Sequence, residues 1–295
     1  MMKRLLILVL MLISASALRA QDSLQVVGIR SPMSRGEQPG FAIRIPQAKP
    51  KELGSGWKKY VRSQSKNGVS LEGNEWIMNR GPVKGLGEDS LICYARFREE
   101  AGATLGEFFI GTDDQNFFTG EHAKAALVRS WLREFGVQQY REAVEDELKQ
   151  AERTLDTYEQ ELKSLENANE NSEKRIRENK RDIDRLQSEI GENKREQEMK
   201  SQQILDQKKT VALYPEGEMR DIEEKKLKQL EKEKRRLEKD KESKEGDIDD
   251  KEIENKRMDK AIDENTRNVI PKKQELIGYQ KNLVADIRKK LEGIR

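Results

Sequence analysis

From Val144 onward, apolar and small side chains recur at alternating steps of four and three: Val144, Leu148, Ala151, Leu155, Tyr158, Leu162, Leu165, Asn169, Ser172, Ile176, Asn179, Ile183, Leu186 and Ile190. A period of about 3.5 residues held over this length keeps one stripe facing a partner and predicts a coiled-coil seam. The stripe continues to Ile204 and Val211 and then meets Tyr214-Pro215-Glu216-Gly217. There proline bars the preceding residue from helical geometry and glycine permits a reversal. A second, weaker stripe follows through Leu227, Leu230, Leu237, Ile248, Met258, Ile262, Val269, Leu276, Tyr279 and Leu283, with Lys234, Lys241, Lys244 and Lys251 interposed.

If the chain reverses at Gly217 and the limbs pack antiparallel, residues equidistant from it face each other. Asn169 then meets Asn265 and Asn179 meets Asn255, while Leu186 meets Ile248, Leu165 meets Val269, Tyr158 meets Leu276 and Ala151 meets Leu283. A buried Asn is costly alone but fixes register when it hydrogen-bonds across a seam, and a shift of one heptad loses both Asn pairs. Lys200 opposite Lys234 and Leu148 opposite Asp286 fit less well. At 1.5 Å per residue such an arm reaches about 100 Å from the head. Pro271 is expected to kink or break the returning limb, leaving a last helix over 272–294 whose Leu283, Ile287, Leu291 and Ile294 dock on the head.

Before Val137 the pattern changes. All three Trp and all seven Phe lie there, so residues 21–137 form a globular head. Strands are expected at 24–29, 41–45, 75–78, 90–98 and 104–110, the fourth alternating with Leu91, Cys93, Ala95 and Phe97 on one face. Leu53, Trp57, Tyr60 and Val61 mark one helix, weakened by Gly54 and Gly56. A second opens near Gly120 and buries Ala123, Leu127, Trp131 and Phe135. The fold class is an α+β head, an antiparallel sheet with two helices on one face, followed by a long antiparallel coiled-coil hairpin. Its expected divisions are a signal peptide over 1–20, the head over 21–137, limb one over 138–213, a turn over 214–217 and limb two over 218–295, with a kink at 271.

Met1-Met-Lys-Arg4, the apolar run Leu5 to Ile13 and the small residues of Ser14 to Gln21 read as a secretory leader cut after Ala17 or Ala20. The run is shorter than the roughly 18–20 residues that span a bilayer, and no later window comes close, so no membrane span is expected after cleavage. No cysteine is placed for lipid attachment, and the mature chain is expected in the periplasm or outside the cell. Three of the 57 basic residues fall in the leader, against 55 acidic ones, so nothing draws the mature chain to nucleic acid.

Charged residues make up 38% of the chain and the mean hydropathy is -0.94, which excludes one compact domain of average composition. One Cys, Cys93, and one His, His122, cannot build a disulfide framework or an ordinary zinc site. His122 belongs to no Gly-x-Ser-x-Gly elbow and reads as a surface residue in a first helical turn. Gly81-Pro-Val-Lys84-Gly-Leu-Gly87 lacks the Lys-[Ser/Thr] end of a phosphate loop and reads as a hairpin. Asp113-Asp-Gln-Asn116 and Asp247-Ile-Asp-Asp250 lack the Gly and Glu of a calcium loop and read as a helix cap and a solvated coil face. Lys232-Glu-Lys-Arg-Arg236 is interleaved with acids and reads as an exposed helix. Phe108, Phe109, Phe117 and Phe118 either line a ligand cleft or pack beneath the helices. No catalytic residue, cofactor-binding residue or metal ligand is expected, and no cofactor.

Phe41-Ala-Ile-Arg-Ile-Pro46, the helix around Trp57-Lys-Lys59, Ala143-Val-Glu-Asp-Glu-Leu148 and the ending Gln280-Lys-Asn-Leu-Val284 with Lys290-Leu291 resemble a group of uncharacterised exported proteins of Bacteroidota-type bacteria. That resemblance implies a small α+β head joined to a Lys/Glu-rich coil and no known activity. The expected function is a non-enzymatic exported or periplasmic protein that works as a structural spacer or protein-interaction module, with a protein partner and a homo-oligomer as the associations considered. The alternative is a holdase, similar in outline to the Skp-type periplasmic chaperones with their coiled-coil arms.

Overall fold

The structure is a computed structural model and describes residues 24–295. The expected leader lies outside the described residues. Strands β1 (Val27–Met33), β2 (Gly36–Pro46), β3 (Val69–Glu72), β4 (Glu75–Val83), β5 (Gly87–Glu100) and β6 (Ala103–Gly111) form one antiparallel sheet in the order β1-β2-β6-β5-β4-β3. Helix α1 (Pro50–Gln64) follows β2, and its proline lies where a missing N–H costs nothing. Helix α2 (Ala125–Leu213), α3 (Glu218–Glu264), a π-helical segment at Asn265–Val269 and α4 (Ile270–Gly293) complete the chain.

The alternation expected in β5 sets the layers. Leu91, Cys93 and Ala95 face the helices with Phe41, Ile43 and Ile45 of β2 and Phe108 and Ile110 of β6. Leu53, Trp57, Tyr60 and Val61 of α1 and Val128, Trp131, Leu132 and Phe135 of α2 cover them. Trp57 is at the centre, its ring 4.8 Å from Phe108, 5.2 Å from Trp131 and 5.1 Å from Phe135. These are the tilted and edge-on arrangements that aromatic quadrupoles favour. This is the sheet-and-helices head that the sequence predicts, with one strand more, because β3 has only four residues and shows just Val69 buried.

The second helix differs from expectation at its start. It begins at Ala125, and up to Phe135 it buries Ala125, Val128, Trp131, Leu132 and Phe135, whereas Ala123 and Leu127 are exposed. Residues 119–124 form turns, so the first two positions of the stripe counted from Gly120, Ala123 and Leu127, are in solvent, while Trp131 and Phe135 are buried as expected. Nor does the helix pause at 137, where the composition changes. Val144 and Ala151, with Leu148 and Leu155 beside them, belong to the head's core, which also receives Val284, Ile287, Leu291 and Ile294 of the C-terminal segment. Arg141 donates to the Ile294 carbonyl at 3.0 Å, and Lys290 reaches Gln47 at 2.6 Å and Glu147 at 3.0 Å. The last helix therefore docks on the head, but Leu283, expected in the contact, is exposed.

Among the described residues, 24–155 together with 279–295 make one compact unit, and 156–278 a second, which is a helical hairpin. Its first limb buries the positions that the four-three stripe marks: Ile176, Asn179, Ile183, Leu186, Ile190 and Ile204. In the returning limb the stripe holds through Asn255, Met258, Ile262, Asn265 and Val269 and then moves by one residue. Lys273, Ile277, Gln280 and Val284 are the shielded positions, not Leu276, Tyr279 and Leu283. The π-helical segment is the cause. Ile270 N–H bonds to the Asn265 carbonyl, five residues back instead of four, which inserts one residue into the turn and rotates everything downstream. Pro271 follows directly. The widened turn lies where its ring would crowd the carbonyl four residues earlier, and Ile270 keeps helical angles of -61° and -49°.

Candidate functional site

Cross-limb bonds along the hairpin come from polar side chains at seam positions. Asn265 Nδ2 donates to Asn169 Oδ1 at 2.8 Å, and Asn179 Nδ2 donates to Asn255 Oδ1 at 3.0 Å, so both Asn pairs fall in the expected register. A third tie lies farther out, where the buried Asn193 donates to the Leu237 carbonyl at 3.1 Å and to Asp240 at 2.9 Å. The interposed lysines do not confront one another. Lys200 pairs with Glu233 at 2.7 Å, Lys244 with Glu189 at 3.2 Å and Lys251 with Asp182 at 3.0 Å, each reaching a carboxylate beside the seam while its stem covers apolar surface. The Lys251 ammonium holds the Asp182 carboxyl below the usual range, and Lys200 does the same for Glu233.

At the reversal, α2 ends at Leu213 and α3 starts at Glu218. Gly217 has φ 150°, a conformation other residues rarely adopt, and its carbonyl accepts the Asp221 N–H at 3.1 Å. Gln207 closes the limbs just below by donating to the Glu223 carboxylate at 2.7 Å. The apex is apolar. Leu213 is 82% exposed and Met219 55%, with Tyr214 and Ile222 also open to solvent. Glu216, Glu218 and Asp221 surround them and carry no ion pair among the described residues.

In the head, the sheet face opposite the helices carries a second arrangement. Tyr94, Phe109 and Phe117 form a small cluster there, with Met33, Ile77 and Ile92 packed on it. Met33 comes from the β1–β2 hairpin, whose tip leans over strands it does not pair with. Ser34 N–H donates to Glu75 at 3.1 Å, and Arg35 donates to the Tyr94 hydroxyl at 3.2 Å and lies 3.6 Å from Asp114. Behind the tip, Glu107 accepts from Ser31 at 2.9 Å and from Arg96 at 2.8 Å, with Arg98 3.8 Å away. Burial by itself would raise the Glu107 pKa, but the hydrogen bonds from Arg96 and Ser31 and the two guanidinium charges outweigh it and hold the carboxyl below its ordinary value. A carboxylate so compensated stays ionised and clamps the hairpin.

The residues singled out in the sequence are dispersed. His122 is exposed, stacked on Phe118 at 4.0 Å, and its Nδ1 accepts the Lys124 N–H at 3.1 Å. Cys93 is buried in the core, which pushes its thiol pKa up. Residues 81–87 are the β4–β5 hairpin, Val83 pairing with Gly87. Asp113 caps its own loop and no helix, accepting from the backbone of Gln115 and Asn116, each at 2.9 Å. Asp247, Asp249 and Asp250 lie on the solvent side of α3. Within Lys232–Arg236, Glu233 pairs with Lys200, while Lys234 pairs with Glu238 at 3.7 Å. None of the four phenylalanines lines a cleft: Phe108 and Phe118 pack under the helices, Phe109 and Phe117 on the opposite face, and all are buried.

Among the described residues no group of three His, Cys, Asp or Glu side chains is placed to hold a metal ion, and no helix is long and apolar enough to cross a membrane. The chain matches no protein-family model and no curated protein.

Proposed function

We propose that this chain is an exported, non-catalytic interaction module whose hairpin presents an apolar apex to a protein partner and acts as a spacer. The observation that carries this reading is the distribution of apolar surface on the hairpin. Along the first limb from 156 to 198 no large hydrophobic residue is exposed, and ion pairs line the flanks. At the reversal Leu213, Tyr214, Met219 and Ile222 are exposed within ten residues. Protein surfaces seldom concentrate apolar side chains without a partner to cover them. The limb from 156 to 213 rises about 85 Å, a length suited to holding two bodies apart.

The test is site-specific photo-crosslinking in cells, with the reactive side chain at 213, at 219 or at the mid-limb position 170. Discrete adducts from 213 and 219, and none from 170, support the reading; adducts from no position overturn it. A holdase is the second reading, supported by the exposed Met199, Leu205 and Ile253 on the limbs. It requires a trimer in solution and suppressed aggregation of an unfolded client.

A further inference from the structure

We propose that the partner of the hairpin apex is the head of a second copy of this chain, so that copies associate apex to head; this rests on the interaction-module reading above. The apex is convex and apolar, and its rim is acidic. Among the described residues Glu216, Glu218 and Asp221 make no ion pair: Lys209 is paired with Asp206 at 3.1 Å, Lys208 with Glu231 at 3.7 Å and Arg220 with Glu224 at 3.1 Å, which leaves Lys225, one turn on from Asp221, as a single cation against three carboxylates. This net negative charge near Leu213 disfavours a second apex as the occupant, since like charges would be brought together, and disfavours an anionic lipid surface for the same reason.

The head carries the complementary chemistry on its helix-free face. Arg44 of β2 and Arg98 of β5 both stand opposite Leu105 of β6, so the three side chains form one row across the sheet. Both arginine side chains are exposed, at 46% and 64%, and Leu105 between them is half-buried. In the next row Ala42 stands between Val27 and Glu107, and Val27 is itself exposed. The apolar strip here is therefore carried by the exposed Val27 and the half-buried Leu105, with Ala42 buried between them and guanidinium groups at its edge. Glu107 is consumed by Arg96 and Ser31, and Glu100 partly offsets Arg44 at 3.6 Å, so three arginines face two carboxylates and the strip stays positive. An acidic apolar knob and a basic apolar strip on one chain are a head-to-tail pair. The contact is small, so association is weak, dependent on concentration and reduced by salt. Because the two surfaces differ, the contact is heterologous, and copies added through it either close into a ring or extend as an open chain.

Sedimentation velocity of the purified full chain over a concentration series tests this directly. The unsubstituted protein should gain mass with concentration at low ionic strength and lose that gain at high ionic strength. Glu216→Lys with Glu218→Lys and Asp221→Lys should abolish the gain, as should Arg44→Glu with Arg98→Glu. Combining both sets in one chain should restore it. Leu213→Ser, at an exposed apex position, should abolish the gain without altering the fold and serves if the head variant unfolds. A mass constant at every concentration, an unchanged gain in either charge-reversed variant, or no recovery in a folded combined variant overturns the proposal. A chain that stays monomeric yet gives discrete photo-adducts from 213 with another protein overturns only self-association and leaves the interaction-module reading standing.

Discussion

The side chains of Asn179 and Asn255 meet 3.0 Å apart across the two limbs of the hairpin, both buried, with Glu254 and Lys251 supplying the further hydrogen bonds of Asn179. Cysteines at these two positions, in a Cys93→Ser background, should form an intramolecular link under mild oxidation at high dilution, seen as a faster-migrating band without reductant. Dimer bands alone would place the limbs in different molecules. Asn179→Leu leaves Asn255 buried without its partner and should cost about 1–3 kcal/mol. Adding Asn255→Leu should return most of that loss in a double-mutant cycle.

The one-residue advance at Asn265–Val269 makes neighbouring leucine and valine positions unequal. Val284→Glu places a charge in the head's core and should destabilise the head by about 3 kcal/mol or more, read from tryptophan fluorescence during denaturation. Leu283→Glu should stay within about 0.5 kcal/mol, because that side chain is already in solvent. Equal effects would mean that the π turn does not persist in solution.

Gly54 approaches Trp76 so closely that a Cβ would lie 2.6–2.7 Å from three atoms of the indole ring. Helix propensity alone predicts that Gly54→Ala stabilises α1 by about 1 kcal/mol. The rigid ring should reverse the sign, giving a net loss of about 1–3 kcal/mol in chemical denaturation. A gain in stability would show that Trp76 can move aside.

Acid should weaken the clamp on the β1–β2 hairpin. Glu107 has a folded pKa below its ordinary 4.5, so the stability it contributes is complete above about that pH and is lost as the pH falls through the folded value. Glu107→Gln should therefore be less stable than the unsubstituted chain at neutral pH and show a shallower loss of stability below about pH 4.5. Parallel curves for the two proteins would remove Glu107 from the account.

The hairpin was legible because its signal is repetition. A stripe of apolar and Asn positions, reversed at Gly217, is enough to pair Asn169 with Asn265. The swap of Leu276 for Ile277 and Leu283 for Val284 was not legible by the same count, since a heptad pattern has no term for an inserted residue. Pro271 was the available clue. In the head, alternation in β5 disclosed the layers, but the lean of Arg35 toward Tyr94 and Asp114 joins residues distant in sequence and leaves no periodic trace. Gly54 and Gly56 read as weak points of a helix, while the structure uses them where Trp76 and Gln139 need room.

The matched Asn pairs also constrain how a molecule of this design can change its size. An insertion in one limb alone throws every amide below it out of step, whereas seven residues added to each limb together preserve all of them. Span would then be inherited in increments of roughly 10 Å per pair of heptads. Lineages carrying this scaffold should differ by whole steps of a ladder and seldom by fractions of a rung.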